Sequence, residues 1–408
     1  MTTYPPIAFF DIPYHSRLVT TLPVVQRLVE RGHRVHAFTL EPFRALVAAT
    51  GATVELQPPF GYEPPECTVN LRTIDYSMEA VPALVERLRA LRPALVVYTA
   101  KCLWAAIAAE ICGLPTAVIH TNALLPRGAT VSAAVHAARC PGKTEEFLAW
   151  MDTRDRTAWL RCAAHYAVTR THTDDVLPVM TNTMNLRGDL NLVYTSESLQ
   201  PRRTEFDASY HFVGPCYDQR AADHDPAFEA AVSALPRPLI FASLGSMRLY
   251  NDRGNIFRRV LDSLADGRFG VVVAVGAADP AALGPLPAFS LLRPYVPQLA
   301  VLERASLFIT HAGTNSVFES LLAGVPMLML PQGADQPVFA EHMEAIGLGR
   351  WLRDADQEPA ALRAAIEAVL ADRDMLARVQ AAGDALRRSG GATRAAELLG
   401  TFAAQTQR

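Results

Sequence analysis

The chain sets out short apolar runs separated by amphipathic stretches, and it does so twice over its 408 residues. In the first half the runs are Ile7 to Ile12, Val35 to Leu40, Leu95 to Tyr98 and Thr116 to His120. Each is too short for a buried helix and is bounded by turn residues, so each reads as a strand covered on both faces. Helical spacing lies between them. Leu22, Val25 and Leu28 or Val29 share one face of Leu18 to Arg31, which Gly32 terminates. Pro42 to Thr50 is the next helix, and Leu103 to Cys112 ends at Gly113. Strands alternating with helices form parallel β-α-β units with helices on both faces of a sheet. Residues from about 126 to 180 depart from this rhythm and read as a longer, Ala-rich, mostly helical insertion.

The pattern restarts with strand candidates Leu239 to Ser243, Gly270 to Val275, Leu307 to Thr310 and Met327 to Leu330. Helices at about 253–267, 297–304 and 315–323 separate them. Between the halves, Cys216 to Pro238 carries Asp218, Asp223, Asp225 and the prolines Pro226, Pro236 and Pro238, and reads as a linker. The expected fold is therefore α/β, with a Rossmann-like domain over 1–215, a linker over 216–238 and a second Rossmann-like domain from 239. Ligands of such sheets sit beyond the C-terminal ends of the strands, so two facing sheets would hold them in a cleft.

Composition narrows the function. Half of the residues are hydrophobic and 19% charged, which is enough for large cores. The formal net charge of -3 leaves no basic surplus for a nucleic-acid backbone. Cys67, Cys102, Cys112, Cys140, Cys162 and Cys216 form no C-x-x-C pair, as expected of reduced thiols in a cytoplasmic protein. No basic segment followed by an apolar core opens the chain, and the longest apolar stretches, such as Leu321 to Leu330, are broken by Gly324 and Pro326. Neither a signal peptide nor a membrane span is expected.

The densest chemical signal runs from Thr310 to Met327. A strand ends at Thr310, a small-residue turn follows, and a helix begins. Unpaired N–H groups and the helix dipole bind phosphate in that geometry. Gly313 permits close backbone approach, Thr314, Asn315 and Ser316 add donors, and Glu319 can accept from a ribose diol. Ser316 and Glu319 equally fit a capping box. Asp335 and Gln336 follow the next strand and can take several sugar hydroxyls, although Asp335 also suits a helix cap before Pro337. In Arg293 to Gln298, Tyr295 can stack on a base while the backbone of Val296 reads its edge; an ordinary Pro-rich turn has the same composition. Ser243-Leu-Gly-Ser246 is a second short loop suited to phosphate.

Taken in order, these pieces resemble the nucleotide-sugar signature of the UDP-glycosyltransferase superfamily, the GT-B enzymes that glycosylate plant metabolites, macrolides and other natural products. The matching residues are Tyr295-Val-Pro-Gln298, His311-Ala-Gly-Thr-Asn-Ser316, Glu319, Gly324-Val-Pro326 and Asp335-Gln336. Leu22-Pro-Val-Val25 with Arg31-Gly-His-Arg-Val35, and Thr195-Ser196 with Phe212-Val-Gly-Pro215, extend the resemblance over most of the chain, weakly across 57–92 and 123–185. The resemblance implies that Tyr295 stacks on the nucleobase, that Gln298 lies near base and ribose, and that Glu319 binds ribose hydroxyls. It implies that His311 and the turn Gly313 to Ser316 hold the diphosphate, and that Asp335 and Gln336 hold the sugar. It also implies an acceptor-binding first domain, a donor domain over 239–390, and a C-terminal helix over 391–408 that returns to the first domain.

A base must take the acceptor's proton as it attacks the anomeric carbon, and histidine suits that task near neutral pH. His15 follows the first strand, where the resembling enzymes carry their catalytic histidine. Two features depart from their pattern: no proline follows His15 at the usual spacing, and the stretch to Leu22 is longer by about two residues. The Asp that normally orients the base is replaced by Thr99, the possible orienting partner here. The expected activity is inverting transfer of a hexose, glucose-like on account of Gln336, from a UDP- or dTDP-sugar to a small apolar natural product. No cofactor and no metal is expected, because N–H donors and a helix N-terminus meet the phosphate charge. The expected partners are these small molecules, and a homodimer stays open. The alternatives are a donor-binding helper with weak turnover and another GT-B enzyme such as an epimerase.

Overall fold

The computed structural model describes residues 4–12, 15–59, 69–124, 145–171, 186–216, 225–245, 255–276, 280–332, 336–353 and 357–406. For residues 15, 16, 69–71, 145–152, 280 and 282 it describes the backbone alone. The chain divides into two compact units, one of residues 1–218 with 389–408 and one of residues 219–388.

The first unit contains β1 (Ile7–Phe10), α1 (His15–Glu30), β2 (Val35–Thr39), α2 (Arg44–Ala48), β3 (Thr53–Leu56), α3 (Val69–Leu91), β4 (Leu95–Thr99) and α4 (Leu103–Ile111). β5 (Thr116–His120), α5 (Glu145–Tyr166), β6 (Leu190–Val193) and β7 (Tyr210–Phe212) complete its sheet. The order is β3-β2-β1-β4-β5-β6-β7, and every pairing is parallel. Alternate residues of each strand face opposite ways, and here both faces are apolar. Phe10, Phe38, Val96, Tyr98 and Val118 pack with Ile74 and Leu84 of α3 and Trp104 of α4. Phe9, Val35, Val97 and Ile119 pack with Val25 and Leu28 of α1 on the other face. Two-sided burial is why these strands read as continuous apolar runs.

The second unit contains α6 (Pro226–Ser233), β8 (Leu239–Ser243), α7 (Ile256–Ser263), β9 (Gly270–Ala274), β10 (Ser290–Arg293), α8 (Gln298–Leu302) and β11 (Leu307–Thr310). α9 (Thr314–Ala323), β12 (Met327–Met329), α10 (Gln336–Ala345), β13 (Gly349–Trp351), α11 (Pro359–Ala371) and α12 (Arg373–Arg388) follow. Its parallel sheet has the order β10-β9-β8-β11-β12-β13. α13 (Gly391–Gln405) then belongs to the first unit. Its Ala395, Ala396, Leu399 and Ala403 are buried with the α1 face of that unit's core.

Two local expectations change. The segment read as a linker contains α6, because Asp225 caps it, its carboxylate accepting from Phe228 N at 2.9 Å, and Pro226 is preset for a first helical turn. α1 begins at His15 rather than Leu18, so the helix starts three residues earlier than expected. Of the Ala-rich region, the described part is the single helix α5, and the remainder of 126–180 lies mostly outside the described residues. Among the described residues no helix is long and apolar enough to cross a membrane.

Candidate functional site

Strand order points to one position in each sheet. Moving outward from β1 and β4 in the first sheet, and from β8 and β11 in the second, the chain winds in opposite directions. At such a reversal the connections leave to opposite faces, and a crevice opens beyond the strand ends.

In the first unit Phe10 pairs with Tyr98, which puts Asp11 alongside Thr99. The Thr99 hydroxyl donates to Asp11 Oδ1 at 2.8 Å, and Thr21 of α1 donates to Asp11 Oδ2 at 2.5 Å. Thr99 Oγ1 also lies 3.2 Å from Cys102 Sγ. Asp11 is 3% exposed, and loss of hydration raises its pKa from 3.8 to about 6, against the opposing pull of the two hydroxyls and the Arg17 charge. A carboxylate, that of Asp11 just after β1, therefore stands beside position 99. A partly open cavity lies beside it, lined by Ile12, Arg17, Thr99, His120, Thr121 and Asn122 among others.

The raised pKa makes a stability prediction. Folding takes up a proton between pH 3.8 and 6, so the favourable contribution of neutral Asp11 is complete below 3.8 and is lost as pH rises through 6. At roughly 1.4 kcal/mol per pH unit, the loss is about 3 kcal/mol. Asp11→Asn cannot ionise. Urea unfolding of wild type and variant from pH 4 to 7 should show the wild type losing stability relative to the variant over that interval. Parallel curves would contradict it.

In the second unit Thr310 pairs with Ser243, so the turns after β11 and β8 lie side by side. The His311 ring packs against two glycines. A Cβ on Gly245 would lie 2.7 Å from His311 Nε2, and one on Gly313 would overlap the same atom. Gly245 has φ +83°, and Ala312 has φ +61°. The left-handed conformation costs an alanine about 1–2 kcal/mol, and such outliers gather at ligand sites. Burial lowers the His311 pKa to about 4, partly opposed by a backbone hydrogen bond at Ser243. The ring is thus neutral at pH 7 and offers polarity without charge. Its Nδ1 is buried with no hydrogen-bond partner among the described residues.

The capping box open in the sequence does not form. Gly313 is the N-cap of α9, no side chain caps it, and Ser316 occupies the third helical position. The first helical bond runs from Val317 N to Gly313 O at 3.0 Å, and the N–H groups of the turn before it precede the helical ladder, an arrangement suited to phosphate. Thr314 is buried, and Asn315 and Ser316 are partly exposed. Gln298, first residue of α8, donates through Nε2 to Glu319 Oε2 at 2.5 Å and to Ser316 Oγ at 3.4 Å. Glu319 is 3% exposed. Tyr295 follows β10 with 62% of its surface exposed, and neighbouring Val296 is buried.

His311, Gly313, Ser316, Glu319, Gln298 and Ser243 thus share one end of the second sheet. Gln336 opens α10 and is buried, its Oε1 accepting from Gln332 N at 2.7 Å. Ser246 and Asp335 lie outside the described residues, as does the His15 side chain, whose backbone begins α1. Sequence reasoning assigned no role to Asp11, Thr21 or Arg17. A charge at the end of the apolar run Ile7 to Ile12 was the available signal for Asp11.

The family model described as "UDP-glucoronosyl and UDP-glucosyl transferase" matches residues 164–379, a little over half of the 408. The NDP-glycosyltransferase YjiC of Bacillus subtilis strain 168 is 27% identical over 405 residues, covering 97% of each chain. The oleandomycin glycosyltransferase of Streptomyces antibioticus is 29% identical over 98% of this chain and 91% of its own. Among solved structures, the glycotransferase of kitacinnamycin superposes with a TM-score of 0.77 at 27% identity, covering 98% of this chain and 100% of that one. These likenesses, with two parallel sheets flanked by helices, make this a GT-B nucleotide-sugar-dependent glycosyltransferase of the natural-product type: the chain belongs to the UDP-glucoronosyl and UDP-glucosyl transferase family.

Proposed function

We propose that the protein transfers a hexose from a UDP- or dTDP-sugar, with inversion at the anomeric carbon, to a hydroxyl of a small, largely apolar natural product. The observation that carries this reading is the His311 ring held by Gly245 and Gly313 beside the uncapped start of α9. A diphosphate there accepts from backbone N–H groups and gains from the helix dipole. Glu319 and Gln298 take the ribose hydroxyls, and Tyr295 and Val296 take the base. Asp335 and Gln336 take the sugar, Gln336 favouring a glucose-like one. His15 accepts the acceptor's proton as its oxygen attacks C1, and the nucleoside diphosphate leaves from the opposite face. Thr99 acts through its hydrogen bond to Asp11, whose carboxylate balances the imidazolium.

No metal takes part in this scheme, so EDTA should leave the rate within about twofold of the untreated enzyme, since helix-terminal N–H groups meet the phosphate charge. Cys102, Cys112 and Cys162 are free thiols, which suits a reducing cytoplasm. Calorimetry with UDP and dTDP tests the donor site. Mass spectrometry of mixed nucleotide-sugars with an aglycone panel tests transfer, and donor alone should yield no altered sugar. Absence of affinity for both nucleotides would overturn the reading.

A further inference from the structure

The cavity beyond β1, β4 and β5 has a chemistry that an apolar acceptor does not explain. Arg17 lies on α1 and projects its guanidinium there, hydrogen-bonding through Nη1 to Thr121 Oγ1 and, at 3.3 Å, to Asn122 Oδ1. Both partners are neutral. Among the described residues no carboxylate lies within ion-pair distance of Arg17, and its link to buried Asp11 is one of charge without contact. His120 at the end of β5 lines the same cavity. It is 3% exposed, and its Nε2 has no hydrogen-bond partner among the described residues. Arg17 is partly buried, and its contacts in the cavity are with neutral oxygens. An anionic ligand would give its charge a contacting partner. A planar carboxylate accepts from the Arg17 fork in two bonds. Ile12, Ile119 and Leu124 supply apolar wall beside it.

From this we infer that the acceptor carries a carboxylate, seated by Arg17, next to its apolar body. The inference rests on the glycosyltransferase reading and names the acceptor class within it. A guanidinium matches a carboxylate in two parallel bonds, a geometry a neutral ester cannot reproduce. Arg17 is a specificity residue in this scheme, acting on acceptor choice and taking no part in bond making.

The test uses 6-hydroxy-2-naphthoic acid and its methyl ester as probes, titrated calorimetrically into the full-length protein, with UDP titrated into the same preparation. The wild type is expected to bind the acid at least about tenfold more tightly than the ester, and Arg17→Gln to lose that preference, with Arg17→Lys retaining part of it. Thermal melts confirm that each variant is folded. A wild type that binds the acid no better than the ester, or binds neither, overturns the inference, as does an Arg17→Gln protein that keeps the preference. If UDP also fails to bind, the donor reading falls; if UDP binds and the acid is not preferred, this inference alone falls.

Discussion

Gly313→Ala is expected to weaken UDP binding by about 30- to 100-fold, equivalent to roughly 2–3 kcal/mol. Gly313 has φ -64° and ψ 136°, a conformation any residue adopts, so the backbone itself tolerates alanine. The obstacle is the added Cβ, which overlaps His311 Nε2. The ring has no easy retreat, because Gly245 bounds it elsewhere and a Cβ there would already approach to 2.7 Å. Either the imidazole leaves its position or the turn that opens α9 moves away from the ligand. Both change the surface a diphosphate must meet. Overpacking of this kind costs about 1–3 kcal/mol, so the variant should remain folded, with its melting temperature lowered by a few degrees. The double variant His311→Ala with Gly313→Ala removes the clash and should bind UDP no worse than His311→Ala alone. Such non-additivity is the mark of direct contact. Wild-type affinity in Gly313→Ala would refute the assignment of this turn to the diphosphate.

The second large effect concerns proton transfer. His15→Ala should lower kcat by on the order of 10³, within the range removed by loss of a general base, while UDP affinity stays within about twofold. The split matters. A fall in kcat with donor binding intact is the behaviour of a group that acts on the acceptor's proton during transfer. Replacement by alanine at the first residue of α1 leaves the helix free to form, since alanine has the highest helix propensity. A companion Thr99→Val keeps the side-chain shape but removes the hydroxyl that donates to Asp11. It should cost about 10-fold in kcat, less than His15→Ala, because Thr99 is a positioning residue in this scheme. Undiminished turnover in His15→Ala would move the base elsewhere.

The two central strand sets were legible because parallel strands buried on both faces leave unbroken apolar runs, as Ile7, Phe9 and Phe10 do. The sheet edges were not. β3 exposes part of every side chain, and β7 and β13 have three residues each, too few for a period to emerge. The turn from His311 to Ser316 was readable because the role proposed for it needs consecutive small residues in one stretch of chain. The Asp11 cluster was hidden for the opposite reason. Its hydroxyl partners lie 10 and 88 residues away, and only the register of β1 against β4 unites them. Arg17 precedes the helix read from Leu18, and only the end of β5 folded against it gives it partners. The fit of His311 against two glycines likewise depends on the pairing of β8 with β11.

α13 carries a lesson for anyone recombining such enzymes. Residues 389–408 complete a core begun by α1, where Gly400 lets His33 approach so closely that a Cβ would lie 2.6 Å from its Nε2. A chimera cut once near residue 218 would separate that helix from the partner for which its packing was selected, stripping cover from Leu28 and Val25. A donor module is better exchanged as a cassette with two junctions, near 218 and 389, so that both chain ends come from the same parent.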